Sequence, residues 1–399
     1  VSDGFIEPRE PATGVNQARV RDHNERLVLS LIQRHGGLPG SDIARRSGLS
    51  PQTVSVILRG LEGDGFIRRG EPQRGRVGKP SVPMVLAPDG VLSVGLKIGR
   101  RSAELMLMDF LGRVRNARHL TYRLPLPDTV FGFLRDGLTA IDAGLTPTQR
   151  KRILGIGVAA PFELWNWQDS LGARQDEMAV WRDLSFADRI AGFSDLPVHL
   201  ENDATAACRA EHVFGLGPSL CDFGYFFVGS FIGGGIVLNR SVYEGQNGNG
   251  AAFGSLPLTA PGGGRAQLLD MASIYLLETR LRDLGRDPAC LWAIPQDWSG
   301  IEDALSPWIA ESARALAQAI TAVSAVIDFR DFVIDGAMPP EVRARLVERV
   351  SDHLSREDMR GLTRPVVHCG SVGVNARAIG AAAVPIYAQF LLNSHAAWV

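Results

Sequence analysis

The strongest constraint on how this chain folds is a pattern that occurs twice. Residues 91–114, VLSVGLKIGRRSAELMLMDFLGRV, read as an apolar strand, a glycine turn, a second apolar strand and a further turn near Gly112. Residues 223–245, FGYFFVGSFIGGGIVLNRSVYEG, repeat that order. The copies lie about 130 residues apart, far beyond the roughly 20 to 50 residues of solenoid periods, so the pattern implies duplication of a whole α/β segment. Two similarly built lobes with a cleft between them are expected.

Length and composition agree. At 399 residues the chain has room for two or three domains of ordinary size. Its 45% apolar and 21% charged residues are the balance of a soluble globular protein able to bury a core, which excludes wholesale disorder. A formal net charge of -1 gives no general reason to bind nucleic acid or membrane, so any such reason must be local. Cys208, Cys221, Cys290 and Cys369 form no C-x-x-C pair and read as buried thiols in a reducing compartment, without a disulfide framework or a zinc site. With no apolar run of membrane-spanning length and no apolar region behind a basic start, the protein is expected to be cytoplasmic.

The charge is unevenly spread. Residues 15–82 hold twelve Lys and Arg against six Asp and Glu. Within them, NERLVLSLIQRH at 24–35 places Leu27, Leu31 and Ile32 at helical spacing before Gly36-Gly37 ends the run. Ser41 is the expected cap of a short second helix with Ile43 and Ala44 inward, and Gly48 supplies the turn of a helix-turn-helix. Ser50 then caps a third helix with Pro51 at its first position, where a missing N–H costs nothing, and with Val54, Ile57, Leu58 and Leu61 inward. A recognition helix sets its N-terminal polar residues against base edges. That makes Gln52, Thr53 and Ser55 the expected readers, with Arg59 on phosphate. After a strand starting near Phe66, the arginines alternate with glycine and proline up to Pro80. This reads as a basic wing whose Arg74, Arg76 and Lys79 meet phosphates or the minor groove. A three-helix packing unit with a solvated basic loop is the plainer alternative.

Further along, RILGIGVAAP reads as a buried strand ending at Pro161, and LPVHLENDATAACRAEHVFG as a strand passing through Glu201, Asn202 and Asp203 into a helix. An amide and a carboxylate at a strand end would face the cleft, although Asp203 also suits a helix cap. Asn247 and Asn249 fit Asn-Gly turns at positive φ. Gly233, Gly234 and Gly235 could cradle an anion, or simply form a tight turn. Phe162, Trp165 and Trp167 could wall the cleft or pack inside. Residues 332–335 read as a strand, PPEVRARLVERVSDHL as an amphipathic helix, and the Ala-rich end as a helix kinked at Pro385.

Taken together, the winged helix, GIGVAAP, ENDATAA, IGGGIVLN and GQNGNGAAFGS resemble the ROK family of repressors and sugar kinases over about residues 17–393. The resemblance implies an α/β architecture, an N-terminal winged helix-turn-helix followed by a two-lobed actin-like, hexokinase-like body. The domains would be 15–86 for the winged helix-turn-helix, 90–200 for a first lobe completed by a C-terminal helix at about 372–393, and 201–371 for a second lobe. It also implies a carbohydrate between the lobes, held by Asn202, Asp203 and Asn249. Family kinases carry an acid in the first hairpin turn, and here Lys97, Arg100 and Arg101 stand in that stretch. Ala252 and Ser255 replace the family's sugar-contacting glutamate and histidine, and APGGGRAQLLD replaces its cysteine zinc loop. The expectation is a non-enzymatic sugar- or polyol-responsive transcriptional regulator, without cofactor or metal, acting as a homodimer or larger homo-oligomer on double-stranded operator DNA and not on membranes. A sugar kinase with an appended DNA-binding module and a DNA-bound scaffold with an empty cleft stay open as alternatives.

Overall fold

The computed structural model describes residues 17–72, 81–162, 164–167, 175–293 and 295–392. They form two compact units, one of residues up to Leu86 together with those from Tyr387 on, the other Ala87–Ile386.

In the first unit, α1 (Gln17–His35), α2 (Gly40–Ser47) and α3 (Pro51–Gly63) precede β1 (Ile67–Arg69), which pairs antiparallel with β2 (Met84–Leu86). Val28, Leu29 and Ile32 of α1, Ile43 of α2, and Val54, Ile57 and Leu61 of α3 make its core. Helix α2 ends because Gly48 takes φ 71, a left-handed conformation cheap only for glycine, and its N–H reaches the Ala44 carbonyl. Helix α3 starts as its sequence dictates, with Ser50 Oγ accepting the Thr53 N–H and Pro51 in the first turn. Three details differ from the sequence reading. Helix α1 begins at Gln17, ahead of residue 24. The N-cap of α2 is Pro39, not Ser41, because the helix already begins at Gly40. Leu58 is only half-buried. The chain end also belongs to this unit: Tyr387 and Leu391 are buried, the Phe390 ring meets Phe66 edge-on with centroids 4.9 Å apart, and the Leu392 N–H donates to Ser30 Oγ at 2.9 Å.

The second unit holds two five-stranded sheets. The first contains β3 (Leu92–Ile98), β4 (Ser102–Asp109), β5 (Val114–Thr121), β6 (Ile153–Ala160) and β7 (Val198–Asn202), in the order β5-β4-β3-β6-β7. The second contains β8 (Phe223–Val228), β9 (Ile232–Leu238) and β10 (Ser241–Val242); after a separate hairpin of β11 (Pro257–Thr259) and β12 (Arg265–Gln267), it is completed by β13 (Asp331–Gly336) and β14 (Val366–Cys369), in the order β10-β9-β8-β13-β14. In both, a three-stranded antiparallel meander is extended by two strands running parallel to its first strand. The duplicated sequence pattern is therefore the hairpin pair β3–β4 and β8–β9.

Six longer helices pack on these sheets: α4 (Pro127–Ala143), α5 (Asp203–Phe214), α6 (Ile274–Asp283), α7 (Glu302–Val326), α8 (Pro340–Arg356) and α9 (Ala376–Phe390). Helix α9 runs on across Pro385, so the proline does not interrupt it. It approaches its neighbours backbone to backbone. A Cβ on Gly95 of β3 would sit 2.5 Å from Ala378 O, one on Gly157 of β6 1.8 Å from Ala381 O, and one on Gly380 1.8 Å from Ala206 O in α5. Glycine is needed at these crossings because no larger residue leaves room.

Candidate functional site

On α3, Gln52, Thr53, Ser55 and Arg59 are all exposed, as a base-reading face requires. The Thr53 hydroxyl lies 2.8 Å from Ser50 Oγ and takes part in the cap, and Arg59 Nε donates to the Ser55 carbonyl at 3.2 Å. Two features escaped the sequence reading. Val56, 56% exposed on the same helix, offers an apolar surface of the kind that meets thymine methyl groups. Arg45 and Arg46 at the end of α2 are exposed beside it in sequence. Arg74, Arg76 and Lys79 lie outside the described residues. The described base of the wing carries exposed Arg68 and Arg69, the latter 3.1 Å from Glu62.

In the second unit a pocket of about 270 Å³ brings Asn202, Asp203 and Asn249 together with Arg100, Arg377 and Ser255. Asn202 ends β7, and its Oδ1 accepts from the N–H groups of Ala204 and Thr205 at 3.0 and 3.2 Å. The cap of α5 is thus Asn202 and not Asp203. Asp203 is the first residue of that helix, and its Oδ2 accepts from Arg377 Nη1 at 3.1 Å. The Arg377 guanidinium also stands 4.8 Å above the Phe227 ring. No sequence argument picked out Arg377; the available signal was a single arginine in the otherwise small and apolar run ARAIGAAA.

Around Asn249 the positive φ values fall on Gly245 (75°), Gly248 (68°) and Ala251 (57°), so the expected left-handed asparagines are replaced by their neighbours. Gly233, Gly234 and Gly235 do not form a turn, and the first two line the pocket. They lie inside β9, where added Cβ atoms would meet Ala204 Cβ at 2.6 Å, the Phe253 ring at 2.2 Å and Cys208 Cβ at 2.3 Å. Their role is to let α5 and Phe253 pack against the strand. Phe162 lines the pocket, Trp165 packs on the core of the first sheet, and the side chain of Trp167 is not among those described. Ala252 and Ser255 both line the pocket. Among the described residues no cluster of three His, Cys, Asp or Glu could hold a metal ion.

A second cavity of about 720 Å³ is lined by Lys97, Arg101, Glu104, Tyr122, Trp292 and Pro339 among others, and Arg100 and Arg377 border both cavities. Lys97 Nζ donates to Glu104 Oε1 at 3.0 Å and to Ser102 Oγ at 3.1 Å. Burial pushes the Lys97 ammonium below its ordinary range, against the pull of Glu104. Burial also opposes the charge of Glu104, yet Lys97 and Arg377 outweigh it and hold this carboxyl below the usual carboxylate range. Arg100 is 8% exposed, 4.0 Å from Glu278 and 5.5 Å from the Phe231 ring centroid. The first hairpin turn is therefore cationic. Its nearest acid is committed to a lysine, and the acid of the smaller pocket to an arginine.

A family model described as the ROK family matches residues 93–274, and one described as winged helix-turn-helix DNA-binding matches residues 21–68. An uncharacterized protein of Sinorhizobium fredii is 27% identical over 93% of this chain and 92% of its own length. A protein of Caldicellulosiruptor named as a putative xylose repressor is 25% identical over 61% of this chain and 60% of its own length. The matched part therefore spans less than two thirds of that repressor. A solved structure described as a ROK family transcriptional regulator, homologous to the Escherichia coli Mlc protein, superposes with a TM-score of 0.64 at 20% identity, over 92% of this chain and 96% of its own. That likeness shows the fold, an actin-like, hexokinase-like body behind a winged helix-turn-helix. Among the described residues no helix is long and apolar enough to cross a membrane.

Proposed function

We propose that this chain is a ROK-family regulator with an N-terminal winged helix-turn-helix, a carbohydrate-responsive repressor of transcription that binds DNA and does not phosphorylate its ligand. Operator DNA meets α3 and the wing. A sugar or polyol occupies the smaller pocket of the second unit, against Asn202, Asp203 and Asn249. The chain acts as a homodimer in the cytoplasm, because a two-fold pair of recognition helices matches a palindromic operator.

One observation carries the non-enzymatic reading. Phosphoryl transfer to a sugar hydroxyl needs a base free to take its proton and a site that holds the phosphates with a metal ion. Asp203, at the strand-end position where family kinases place the base, is paired with Arg377 at 3.1 Å. In the first hairpin the position of the family's acid is Lys97, itself bonded to Glu104. The sugar kinase alternative draws support from the 720 Å³ cavity beside the pocket, which is large enough for a second substrate. The empty-cleft scaffold predicts no ligand at all.

A thermal-shift screen of the full chain against sugars, polyols and sugar phosphates tests the sensor, since a ligand of the native state raises apparent stability. At least one carbohydrate is expected to do so. Incubation of that ligand with the protein and magnesium ATP is expected to give no phosphorylated product. Product that disappears in Asp203→Ala would overturn the non-enzymatic reading.

A further inference from the structure

Much of the smaller pocket comes from two segments far apart in sequence. One is the end of β7, with Asn202 and Asp203, and the other is the turn after β10, with Asn249, Ala251 and Ala252. One buried side chain that is not part of the lining is bonded to both. Arg209 of α5 is 2% exposed, and its Nε donates to Oε1 and Oε2 of Glu201, the residue before Asn202, at 3.2 and 3.1 Å. Its Nη2 donates to the same carboxylate and, at 2.7 Å, to Oε1 of Glu244, where the turn begins.

The turn closes on itself at the residue that Arg209 holds. The Gly250 N–H donates to the Glu244 carbonyl at 2.7 Å, and Gly245 takes φ 75. A Cβ on Gly245 would stand 2.9 Å from Gly250, and one on Gly250 would stand 2.6 Å from the Tyr243 carbonyl oxygen, so this neck has no slack. Asn249 is the residue before Gly250 and moves with it. The guanidinium, for its part, is fixed on Glu201 through two of its nitrogens, which also fixes the direction of Nη2 toward Glu244.

We infer that Arg209 is a positioning residue of the ligand pocket: by holding Glu201 and Glu244 on one guanidinium, it sets the separation of Asn249 from Asn202 and Asp203 at which a carbohydrate reaches all three. This rests on the carbohydrate-responsive reading and adds to it a determinant outside the lining. Arginine suits the task because its planar fork serves two carboxylates in fixed directions, which the single ammonium of a lysine does not.

Burial pushes the Glu201 carboxyl above the usual carboxylate range, against the pull of Arg209, so an Arg209 variant strands a buried acid and is a poor probe. Glu244 is 49% exposed and carries the test instead. The full chain is titrated calorimetrically with a panel of pentoses, hexoses, their polyols and their phosphates, and the member that wild type binds tightest is the probe. Glu244→Ala is expected to bind it about fivefold or more weakly while melting close to wild type. Glu244→Gln, which keeps an acceptor oxygen for Arg209, is expected to recover part of that loss. Because Glu244 acts through Asn249, adding Glu244→Ala to Asn249→Ala is expected to cost little further affinity. A Glu244→Ala variant that binds like wild type, one that melts far below it, a Glu244→Gln variant that recovers nothing, or a full second loss on top of Asn249→Ala would each overturn the inference and leave the carbohydrate sensor standing. A wild-type chain that binds no member of the panel would overturn both.

Discussion

Asn202 and Asp203 are adjacent in sequence but do different work. Asn202 caps α5 with its amide oxygen, so Asn202→Ala is expected to lower stability by about 0.5 to 2 kcal/mol in urea denaturation, because two N–H groups lose their acceptor. Asp203→Asn leaves that cap intact but takes the charge from the partner of Arg377. These side chains are 15% and 11% exposed, so the variant is expected to lose about 1 to 3 kcal/mol, less than a fully buried pair would, by the same measurement. A cost confined to Asn202→Ala would mean that the Asp203–Arg377 pair contributes nothing. The strand-end position of Asn202 and Asp203 could be read because the switch from strand to helix is local in sequence. Their partner could not, since Arg377 arrives 174 residues later on another helix.

At the scale of elements, the two hairpins and α3 were legible because alternating apolar strands, a glycine turn, and a Ser-Pro helix start are local signals. The run Gly233–Gly235 misled because three glycines suggest a turn, whereas here they thin a strand so that a helix can press on it. Helix α7, the longest among the described residues, escaped the sequence reading although its buried stripe keeps helical spacing through Ala304, Leu305, Trp308, Ile309, Ser312 and Ala313; Pro307, on the exposed face near the start, is a local signal against a helix interior. Close crossings of α9 are equally invisible to periodicity and can be tested. Gly157→Ala would place a methyl 1.8 Å from the Ala381 carbonyl oxygen, and neither backbone can yield cheaply. It is expected to cost at least about 1 to 3 kcal/mol. Gly132→Ala, inside α4 with nothing within 4 Å, is expected to stabilise by about 0.5 to 1 kcal/mol through helix propensity. Equal melting temperatures for these two variants would contradict the packing assigned to α9.

For the whole molecule, the account joins a DNA-reading helix to a ligand pocket in one chain. Exposed Gln52 is expected to govern sequence preference, so Gln52→Ala should change which duplex is preferred while leaving the salt dependence of binding nearly unaltered. Arg59→Gln is expected to do the reverse, lowering the slope of log affinity against log salt by about one if its guanidinium meets a phosphate. A Gln52→Ala variant with unchanged preference would remove α3 from base readout. The most direct test of the central claim is the affinity of the full chain for a duplex selected from random DNA, followed by fluorescence anisotropy with and without a saturating carbohydrate from the screen. The account predicts that the carbohydrate changes duplex affinity by about 5- to 150-fold, and that the duplex changes carbohydrate affinity by the same factor, as reciprocal coupling demands. Equal duplex affinity with the pocket empty and filled would contradict it.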